Sequence, residues 1–286
     1  MEGARYILTL SCRDVAGIVA AVSGFIARQE GFILESTQFG DASTGRFFLR
    51  MDFRGGPGTP PGPELEALFA ASVGEPFDMA WELNDAARRP RLLVLVSREG
   101  HCLNDLLHRA RVGTLGVDIA GVVSNHDDFR GLVEWRGIPY HHLPVSHDNR
   151  AAQEAEIWRL VGELEADVVA LARYMQVLGP ELTGRLAGRA INIHHSFLPS
   201  FKGARPYHQA FDRGVKLIGA TAHYVTDDLD EGPIIEQEVI RVDHAHTPQE
   251  LMALGQDIEC VVLARALKYH CEHRVLVNGS KTVVFR

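Results

Sequence analysis

The sequence has few cysteines, no long apolar run and no excess of positive charge, and each shortage excludes a class of protein. The four cysteines lack the short spacings of a zinc site and are too few for a disulfide framework, so we expect free and mostly buried thiols. The longest apolar runs, such as Leu92 to Val96, have five residues, whereas a membrane helix needs roughly 20. Because the formal net charge is -8, we expect no nucleic-acid partner.

Targeting signals are also missing. The N-terminus does not show the basic start, apolar stretch and small-residue cleavage site of a signal peptide. We therefore predict a cytoplasmic protein with no membrane partner. The hydrophobic fraction of 46% and the charged fraction of 23% are those of an ordinary globular protein, and 286 residues leave room for two domains.

Residues 1–84 are predicted to form an α+β domain. A helical pattern starts near Gly17, a second follows the Pro/Gly-rich stretch before residue 64, and strand-like runs surround both. These runs are 5–11, 32–38, 46–53 and 77–83. The order predicts a ferredoxin-like βαββαβ fold, an antiparallel sheet with both helices on one face. Residues 85–90, polar and closed by a proline, are predicted to be a linker.

The start of the first helix, Arg13-Asp14-Val15-Ala16-Gly17-Ile18-Val19, resembles that of an ACT domain, a regulatory module that binds amino acids. The resemblance implies an effector site at Asp14, Gly17 and Ile18, where a helix start could receive a carboxylate. The alternative is that Gly17 only begins a helix and that the domain serves assembly. Small antiparallel sheets with exposed edges tend to pair, so we expect a homo-oligomer built partly through residues 1–84.

The hydrophobic pattern changes in residues 91–286. Continuous apolar strands now alternate with helical stretches, which is typical of parallel strands buried on both faces. The predicted strands are 92–96, 119–123, 140–143 and 168–171. This alternation predicts a doubly wound, mostly parallel α/β domain whose ligands bind beyond the carboxyl ends of the strands. A long helix over 248–274 and a hairpin over 275–285 complete it.

Three polar residues follow strand ends in this second domain. In Ile191-Asn192-Ile193-His194, the side chains of Asn192 and His194 share one face of a predicted strand. An amide beside an imidazole can hold an oxyanion and move a proton. Asp230 adds a carboxylate in a turn after the strand-like run 218–225. A single residue of this kind more often caps a loop than catalyses a reaction. The three residues form a site only if the strand that ends at His194 and the strand-like run 218–225 are neighbours.

The segments around these residues carry a family pattern. An Asn-x-His strand end leads into a Ser-hydrophobic-Leu-Pro loop, here Asn192 to Pro199, and a Leu-Asp-x-Gly-Pro-Ile turn follows at Leu229 to Ile234. The pattern resembles that of the formyltransferases that use 10-formyltetrahydrofolate. Three longer strings are similar to the deformylase branch, which delivers the formyl group to water. They are Leu171-Ala172-Arg173-Tyr174-Met175-Gln176, His194-His195-Ser196-Phe197-Leu198-Pro199 and Gly219-Ala220-Thr221-Ala222-His223-Tyr224.

This resemblance, which covers nearly the whole chain, implies an enzyme that hydrolyses a linear C–N amide. The expected reaction converts 10-formyltetrahydrofolate and water into tetrahydrofolate and formate, supplying formate and balancing one-carbon folate pools for purine synthesis. Asn192, His194 and Asp230 are the implied catalytic residues, with the proton-transfer roles of His194 and Asp230 left open. The folate is the substrate, and neither a cofactor nor a metal is implied.

The resemblance also implies residues that bind or support the substrate. The folate-binding candidates are Leu171, Arg173, Met175, Gln176, Leu178, Thr226, Asp227 and Asp228. The supporting candidates are His223, Ser196 and Gly203. His195 would face away from His194 if the strand is regular, and no catalytic role is derived for it; we expect a structural hydrogen bond there, since buried polar groups are generally paired.

Two other functions stay open. A formyltransferase would pass the group to an amine, and its relatives in the purine pathway carry a small Gly/Ser-rich loop for the amine's phosphate after the first strand. Here that segment is Ser97-Arg98-Glu99-Gly100-His101-Cys102-Leu103-Asn104, a poor phosphate cradle, which favours water as the acceptor. A regulatory protein that senses an amino acid is the other alternative, and the intact set of Asn192, His194 and Asp230 argues against it.

Overall fold

The computed structural model describes residues 3–146, 148–199 and 206–286. The chain forms two compact units. The first comprises Met1–Arg89 with Glu272–Asn278 and Val283–Arg286, and the second comprises Pro90–Cys271 with Gly279–Thr282. The described part of the chain has no helix with both the length and the apolar character needed to cross a bilayer.

The first unit is an antiparallel sheet with the strand order β2-β3-β1-β4. Its strands are β1 (Arg5–Arg13), β2 (Phe32–Asp41), β3 (Arg46–Arg54) and β4 (Ala80–Asp85). Its helices are α1 (Ile18–Arg28) and α2 (Gly62–Phe69), the latter continued by a π-helical turn, Ala70–Gly74. The observed βαββαβ order matches the predicted one, and β4 begins three residues later than predicted.

The core of the first unit joins the helices to one face of the sheet. Phe69 of α2 contacts Phe25 of α1 edge-on, with 5.2 Å between ring centroids, and Trp81 of β4 at 4.7 Å. Leu8 and Leu10 of β1 are 1% exposed in the same cluster. Alternating apolar residues on β1 and the helical stripe of α1 thus bury one continuous apolar surface.

The C-terminal tail also belongs to the first unit, which differs from its predicted place in the second domain. Arg50 of β3, 2% exposed, donates to the Glu35 carboxylate at 2.9 Å and to the carbonyl oxygen of Glu272 at 3.2 Å. Arg274 donates to the same Glu35 carboxylate, and Asn278 donates to Asp41 at 2.7 Å. A buried arginine needs such partners, and sequence periodicity does not show which segment supplies them.

The second unit contains a seven-stranded sheet with the strand order β11-β10-β9-β8-β5-β6-β7. Its strands are β5 (Arg91–Val96), β6 (Asp118–Ser124), β7 (Tyr140–His142), β8 (Val168–Leu171), β9 (Ala190–His194), β10 (Leu217–Tyr224) and β11 (Ile234–Arg241). Its helices are α3 (His101–Val112), α4 (Arg130–Glu134), α5 (Arg150–Glu163), α6 (Pro180–Arg185), α7 (Pro206–Asp212) and α8 (Pro248–Cys271). A C-terminal hairpin pairs β12 (Val275–Asn278) with β13 (Lys281–Val284).

The predicted mostly parallel sheet is confirmed. Strands β5 to β9 pair in parallel, whereas β10 is antiparallel to both β9 and β11. Leu92 to Val96 are all fully buried, because helices cover both faces of the sheet. The antiparallel pairing of β9 with β10 sets Asn192 opposite His223, so polar residues of the two strands lie next to each other.

Candidate active site

Two neighbouring strands carry the predicted catalytic residues into one cleft. Asn192 and His194 lie on β9, and Asp230 lies in the turn that connects β10 to β11. All three side chains line a cleft with a volume of about 270 Å³, at the carboxyl ends of β8 and β9. The condition required by the sequence, that the two strands be neighbours, is met.

The turn that carries Asp230 is held closely against β10. Asp230 has a φ of 59°, a left-handed conformation that is uncommon outside glycine and asparagine. A Cβ atom on Gly232 would lie 1.7 Å from the carbonyl oxygen of Tyr224, so only glycine fits there. The amide of Tyr224 donates to the carbonyl oxygen of Pro233 at 3.0 Å. This tight approach directs Asp230 towards the end of β9.

His194 and Asp230 form the central pair of the site. Nδ1 of His194 lies 3.2 Å from Oδ1 of Asp230, and His194 is 7% exposed. The hydrogen bond from His194 holds the pKa of Asp230 well below its usual range, despite the opposing effect of burial. The carboxylate therefore accepts from Nδ1, and Nε2 of His194 is buried without a hydrogen-bond partner among the described residues. That nitrogen is available to a bound molecule.

His223 links the amide to the same carboxylate. Its Nδ1 lies 2.9 Å from the carbonyl oxygen of Tyr224, which can only accept, so Nδ1 carries a hydrogen. Its Nε2 lies 3.3 Å from the side-chain nitrogen of Asn192 and 3.7 Å from Oδ1 of Asp230. Because Nδ1 carries the hydrogen, Nε2 accepts from the Asn192 amide, so the imidazole orients Asn192 beside Asp230. Its supporting role stays a prediction.

Most of the predicted folate-binding residues line the same cleft. Those present are Leu171, Arg173, Met175, Gln176, Leu178, Thr226 and Asp227. Met175 is 57% exposed, whereas Leu178 is 7% exposed and also packs in the core. The cleft is further lined by Val177, Thr183, Val225 and Leu229, which the sequence analysis did not select. Their binding roles stay predictions.

Two selected residues are not among those that line the cleft, and a third is outside the described residues. Asp228 is exposed, is not among the cleft-lining residues, and its carbonyl oxygen accepts from Thr226 at 3.1 Å. Ser196 is 5% exposed and not among them either, and its carbonyl oxygen accepts from Thr221 at 2.9 Å. Gly203 lies outside the described residues.

His195 lies beside His194 rather than facing away from it. Strand β9 ends at His194, so alternation no longer governs the next residue. The two rings stack with 4.8 Å between centroids and an interplanar angle of 18°, and both line the cleft. Nη1 of Arg173 lies 2.7 Å from Nδ1 of His195. The expected structural hydrogen bond of His195 is present, whereas the facing-away geometry of a regular strand does not apply because the strand ends one residue earlier.

Behind Arg173 lies a buried carboxylate that the sequence analysis missed. Glu259 of α8 is 1% exposed, and its Oε2 is 2.7 Å from Nε2 of His101 and 3.5 Å from Nε of Arg173. Tyr207 donates to its other oxygen at 2.8 Å. Burial alone would raise the pKa of Glu259, but the hydrogen bond from His101 and the charge of Arg173 lower it overall. An acidic residue on the buried stripe of α8 was the available signal.

This carboxylate also belongs to a group of potential metal ligands. Atoms of His101, Cys102 and Glu259 lie within 4.8 Å of one another. The guanidinium of Arg173 beside Glu259 opposes a second cation there. A hydrogen bond to Cys260 and then burial raise the pKa of Cys102, which disfavours the thiolate. The donor set therefore fits a hydrogen-bonded network better than a metal ion.

The predicted effector residues cluster at the start of α1. Gly17 precedes the helix with a φ of 97°. Asp14 lies against Gly40 of β2, where an added Cβ would be 2.7 Å from its Oδ2. Ile18 is 2% exposed, so its side chain belongs to the core and only its backbone could contact a ligand. The effector site stays a prediction.

Comparison with known proteins identifies the class to which this fold and cleft belong. Residues 90–267 match the family model described as formyl transferase. The glycinamide ribonucleotide transformylase 1 of Symbiobacterium toebii is 30% identical, with a TM-score of 0.66 over 72% of this chain and 98% of that chain. Fold and site together define a protein of the formyl transferase class.

Two further relatives extend over the whole chain. The formyltetrahydrofolate deformylase of Corynebacterium sp. (strain P-1) is 50% identical over 285 residues, which is 100% of this chain and 99% of that protein. The crystal structure of the formyltetrahydrofolate deformylase from Burkholderia mallei ATCC 23344 is 52% identical, with a TM-score of 0.94 over 99% of this chain and all of that chain. The chain belongs to the formyltetrahydrofolate deformylase family, which confirms the resemblance seen in the sequence.

Proposed function

We propose that this protein hydrolyses 10-formyltetrahydrofolate to tetrahydrofolate and formate. The observation that carries the proposal is the His194–Asp230 pair, with Nδ1 and Oδ1 3.2 Å apart, beside Asn192 in one cleft. Hydrolysis of a formyl amide needs a base for water, a donor for the oxyanion and a proton for the leaving nitrogen. These three side chains can supply all of them.

The reaction begins with water. The ionised Asp230 carboxylate accepts a proton from water as its oxygen forms a bond to the formyl carbon. The developing oxyanion receives a hydrogen bond from the Asn192 amide, whose orientation is fixed by His223 at 3.3 Å. The His194 ring enters the reaction protonated on both nitrogens, its charge stabilised by the ionised Asp230 before water attacks the formyl carbon. As the carbon–nitrogen bond breaks, Nε2 of His194 donates its proton to the leaving nitrogen. The proton that Asp230 took from water then returns through solvent to Nε2 of His194, and the formic acid product ionises to formate. The products are formate and tetrahydrofolate.

The folate ring is proposed to enter between the segment after β8 and the turn before Asp230. Met175 and Leu229, 57% and 59% exposed, offer apolar surface at the cleft, and Leu178 lies deeper. A flat heteroaromatic ring suits such a slot because backbone amides can bind its edge. Arg173, Gln176, Thr226 and Asp227 are proposed to contact its polar groups, as the family resemblance implied.

The reaction is proposed to need neither a metal nor a resident cofactor. A carboxylate, an imidazole and an amide already provide the base, the acid and the oxyanion donor that the reaction requires. We expect full activity after prolonged dialysis against a chelator. A loss of activity that added zinc or magnesium restores would contradict this proposal.

One assay tests the proposed function directly. Purified protein is incubated with 10-formyltetrahydrofolate, and formate is measured without any amine acceptor. We expect stoichiometric formate and tetrahydrofolate, because water is the acceptor. If formyl transfer occurs only after an amine is added, the protein is a formyltransferase instead.

The finer biological roles are proposals of the same kind. We propose that formate release supplies purine synthesis and balances the one-carbon folate pools. The first unit is proposed to act as an ACT-like domain that binds an amino acid near Asp14 and Gly17 and contributes to a homo-oligomer. Support comes from its βαββαβ topology and from the left-handed Gly17 at the start of α1.

A further inference from the structure

His195 has a defined protonation state in the wall of the cleft. Arginine has only donors, so Nη1 of Arg173, 2.7 Å away, must donate to an unprotonated Nδ1 of His195. A neutral ring then carries its hydrogen on Nε2. That nitrogen is buried and has no hydrogen-bond partner in the part of the chain that the structure describes. The donor is therefore left for water or substrate.

The arginine is itself held in place from two sides. Its backbone has a φ of 62°, so the chain turns sharply where β8 ends, and its carbonyl oxygen accepts from the amide of Ser97 at 3.2 Å. Its side chain lies 3.5 Å from the Glu259 carboxylate, which His101 and Tyr207 fix from the other side. Arg173 thus has one orientation, directed at His195.

Because the two rings stack, the charge on His195 affects the charge on His194. The two imidazoles are 4.8 Å apart, and a positive charge on one disfavours a positive charge on the other. Among the described residues, the charged and titratable groups that act on His195 are Arg173 after β8, His194 on β9, Asp230 after β10 and Glu259 on α8. Burial, then Arg173 and then His194 lower the pKa of His195 to about 4.

We propose that Glu259, Arg173 and His195 are positioning residues that keep a neutral imidazole stacked on His194, so that the catalytic proton resides on His194 alone. Glu259 orients Arg173, Arg173 selects the Nε2–H form of His195, and His195 supports the ring plane from which Nδ1 of His194 reaches Asp230. This role rests on the proposed hydrolysis and extends it to residues that do not touch the reacting bond.

Kinetics of three variants test the role. His195→Asn keeps an acceptor for Arg173 but removes the ring, so kcat should fall by about 10- to 100-fold, as when an orienting group is lost, while KM changes by less than about threefold. Arg173→Met should add a pH dependence, because His195 can then take up a proton. Its activity relative to the native enzyme should be lower at pH 6 than at pH 8. The double variant, Arg173→Met with His195→Asn, should lose this added pH dependence, because it has no imidazole at position 195.

The controls separate this role from simple packing. Arg109→Met removes an arginine that pairs with Asp105 on α3 and should change neither kcat nor the pH profile. Arg173→Lys should restore part of the native pH profile, since it returns a charge and a donor. An Arg173→Met enzyme with the same relative activity at pH 6 and pH 8, or a His195→Asn enzyme with native kcat, would overturn the proposal.

A second readout does not depend on turnover. Nitrogen-15 NMR of the native protein labelled at histidine distinguishes protonated from unprotonated ring nitrogens, and the His195→Asn spectrum assigns the signal. We expect His195 to show a protonated Nε2 and a bare Nδ1 from pH 8 down to pH 5. A doubly protonated ring at pH 6, or the opposite tautomer, would refute the positioning role even in an active enzyme. Absence of formate release with the expected spectrum would instead refute the proposed function.

Discussion

At the scale of single residues, Asp230 has a left-handed backbone conformation and a lowered pKa, and contacts with neighbouring residues maintain both. It adopts a left-handed backbone conformation, lies within 3.7 Å of two imidazoles, and has a pKa well below the usual range because Nδ1 of His194 donates to it. A carboxylate that stays ionised can act as a base throughout the neutral range. Its geometry also limits His194, whose Nδ1 is engaged while Nε2 faces the cleft.

Replacing that carboxylate should separate catalysis from binding. Asp230→Asn keeps the shape of the side chain but removes the base, so kcat should fall by about 100- to 10,000-fold, the usual contribution of general acid–base catalysis. Folate affinity, measured by fluorescence titration or calorimetry, should change little. Glu231→Gln, at the exposed neighbouring position, is the matched control and should keep native kcat. Near-native turnover of Asp230→Asn would remove Asp230 from the mechanism.

The same carboxylate should make stability depend on acid pH. The folded-state pKa of Asp230 is lowered, whereas in the unfolded chain it is about 3.9, so the folded protein gains stability above pH 4 and loses it as pH falls below. The difference in melting temperature between native protein and Asp230→Asn should therefore shrink from pH 6 to pH 3. A difference that grows towards pH 3 would show that the ion pair does not exist.

At the scale of elements, two close approaches let strands and helices deliver side chains to the site. Gly232 allows the turn after β10 to touch the backbone at Tyr224. Gly255 does the same for α8, since a Cβ there would lie 2.0 Å from the hydroxyl of Tyr207. Tyr207 can then donate to Glu259, one helical turn further along α8. Both glycines are needed for space rather than for a positive φ.

Filling the space at Gly255 should disturb this helix contact. Gly255→Ala should displace the Tyr207 ring from Glu259 and destabilise the fold by about 1–3 kcal/mol, the usual cost of overpacking. Gly162→Ala, in α5 with open space around its Cβ position, should instead be neutral or stabilising by up to about 1 kcal/mol. Urea unfolding measures both. Equal stabilities of the two variants would contradict the packing inferred for Tyr207.

At the scale of the whole molecule, the first unit offers a surface for self-association. Strand β2 lies at the edge of its sheet, and Phe32, Leu34 and Phe39 on it are 62%, 45% and 46% exposed. Edge strands with exposed apolar side chains are templates for pairing unless they are covered. The position of β2 therefore supports the proposed homo-oligomer.

Charge on this edge should weaken assembly. We expect the native protein to sediment as an oligomer at micromolar concentration, and Phe32→Lys combined with Leu34→Lys to sediment as a smaller species, because buried lysines oppose pairing. Val112→Lys, which changes an equally exposed apolar residue at the end of α3, should leave the native assembly unchanged. A native protein that sediments as a monomer would refute the oligomer.

Much of this protein could be predicted from local pattern. Alternation and helical periodicity predicted the order of strands and helices in the first unit and the alternation of strands and helices up to β8 in the second, because each element must bury one apolar face. The short helices α6 and α7 were not predicted. The family pattern identified Asn192, His194 and Asp230, which the structure brings to one cleft. The structure places Asp228, a folate-binding candidate, outside the cleft lining, because side-chain direction in turns does not follow a simple period.

The sequence alone therefore determined the two folding patterns, the family and the three groups proposed to act on the formyl carbon. Only the tertiary structure decided that His195 stacks on His194, that Arg173 selects its tautomer and that Glu259 lies behind both. It also decided that the C-terminal tail packs with the first unit. The reason is physical: apart from the stacking of the adjacent His194 and His195, these contacts join residues 22 to 239 positions apart, where the pairing of buried charges depends on the packing of whole elements.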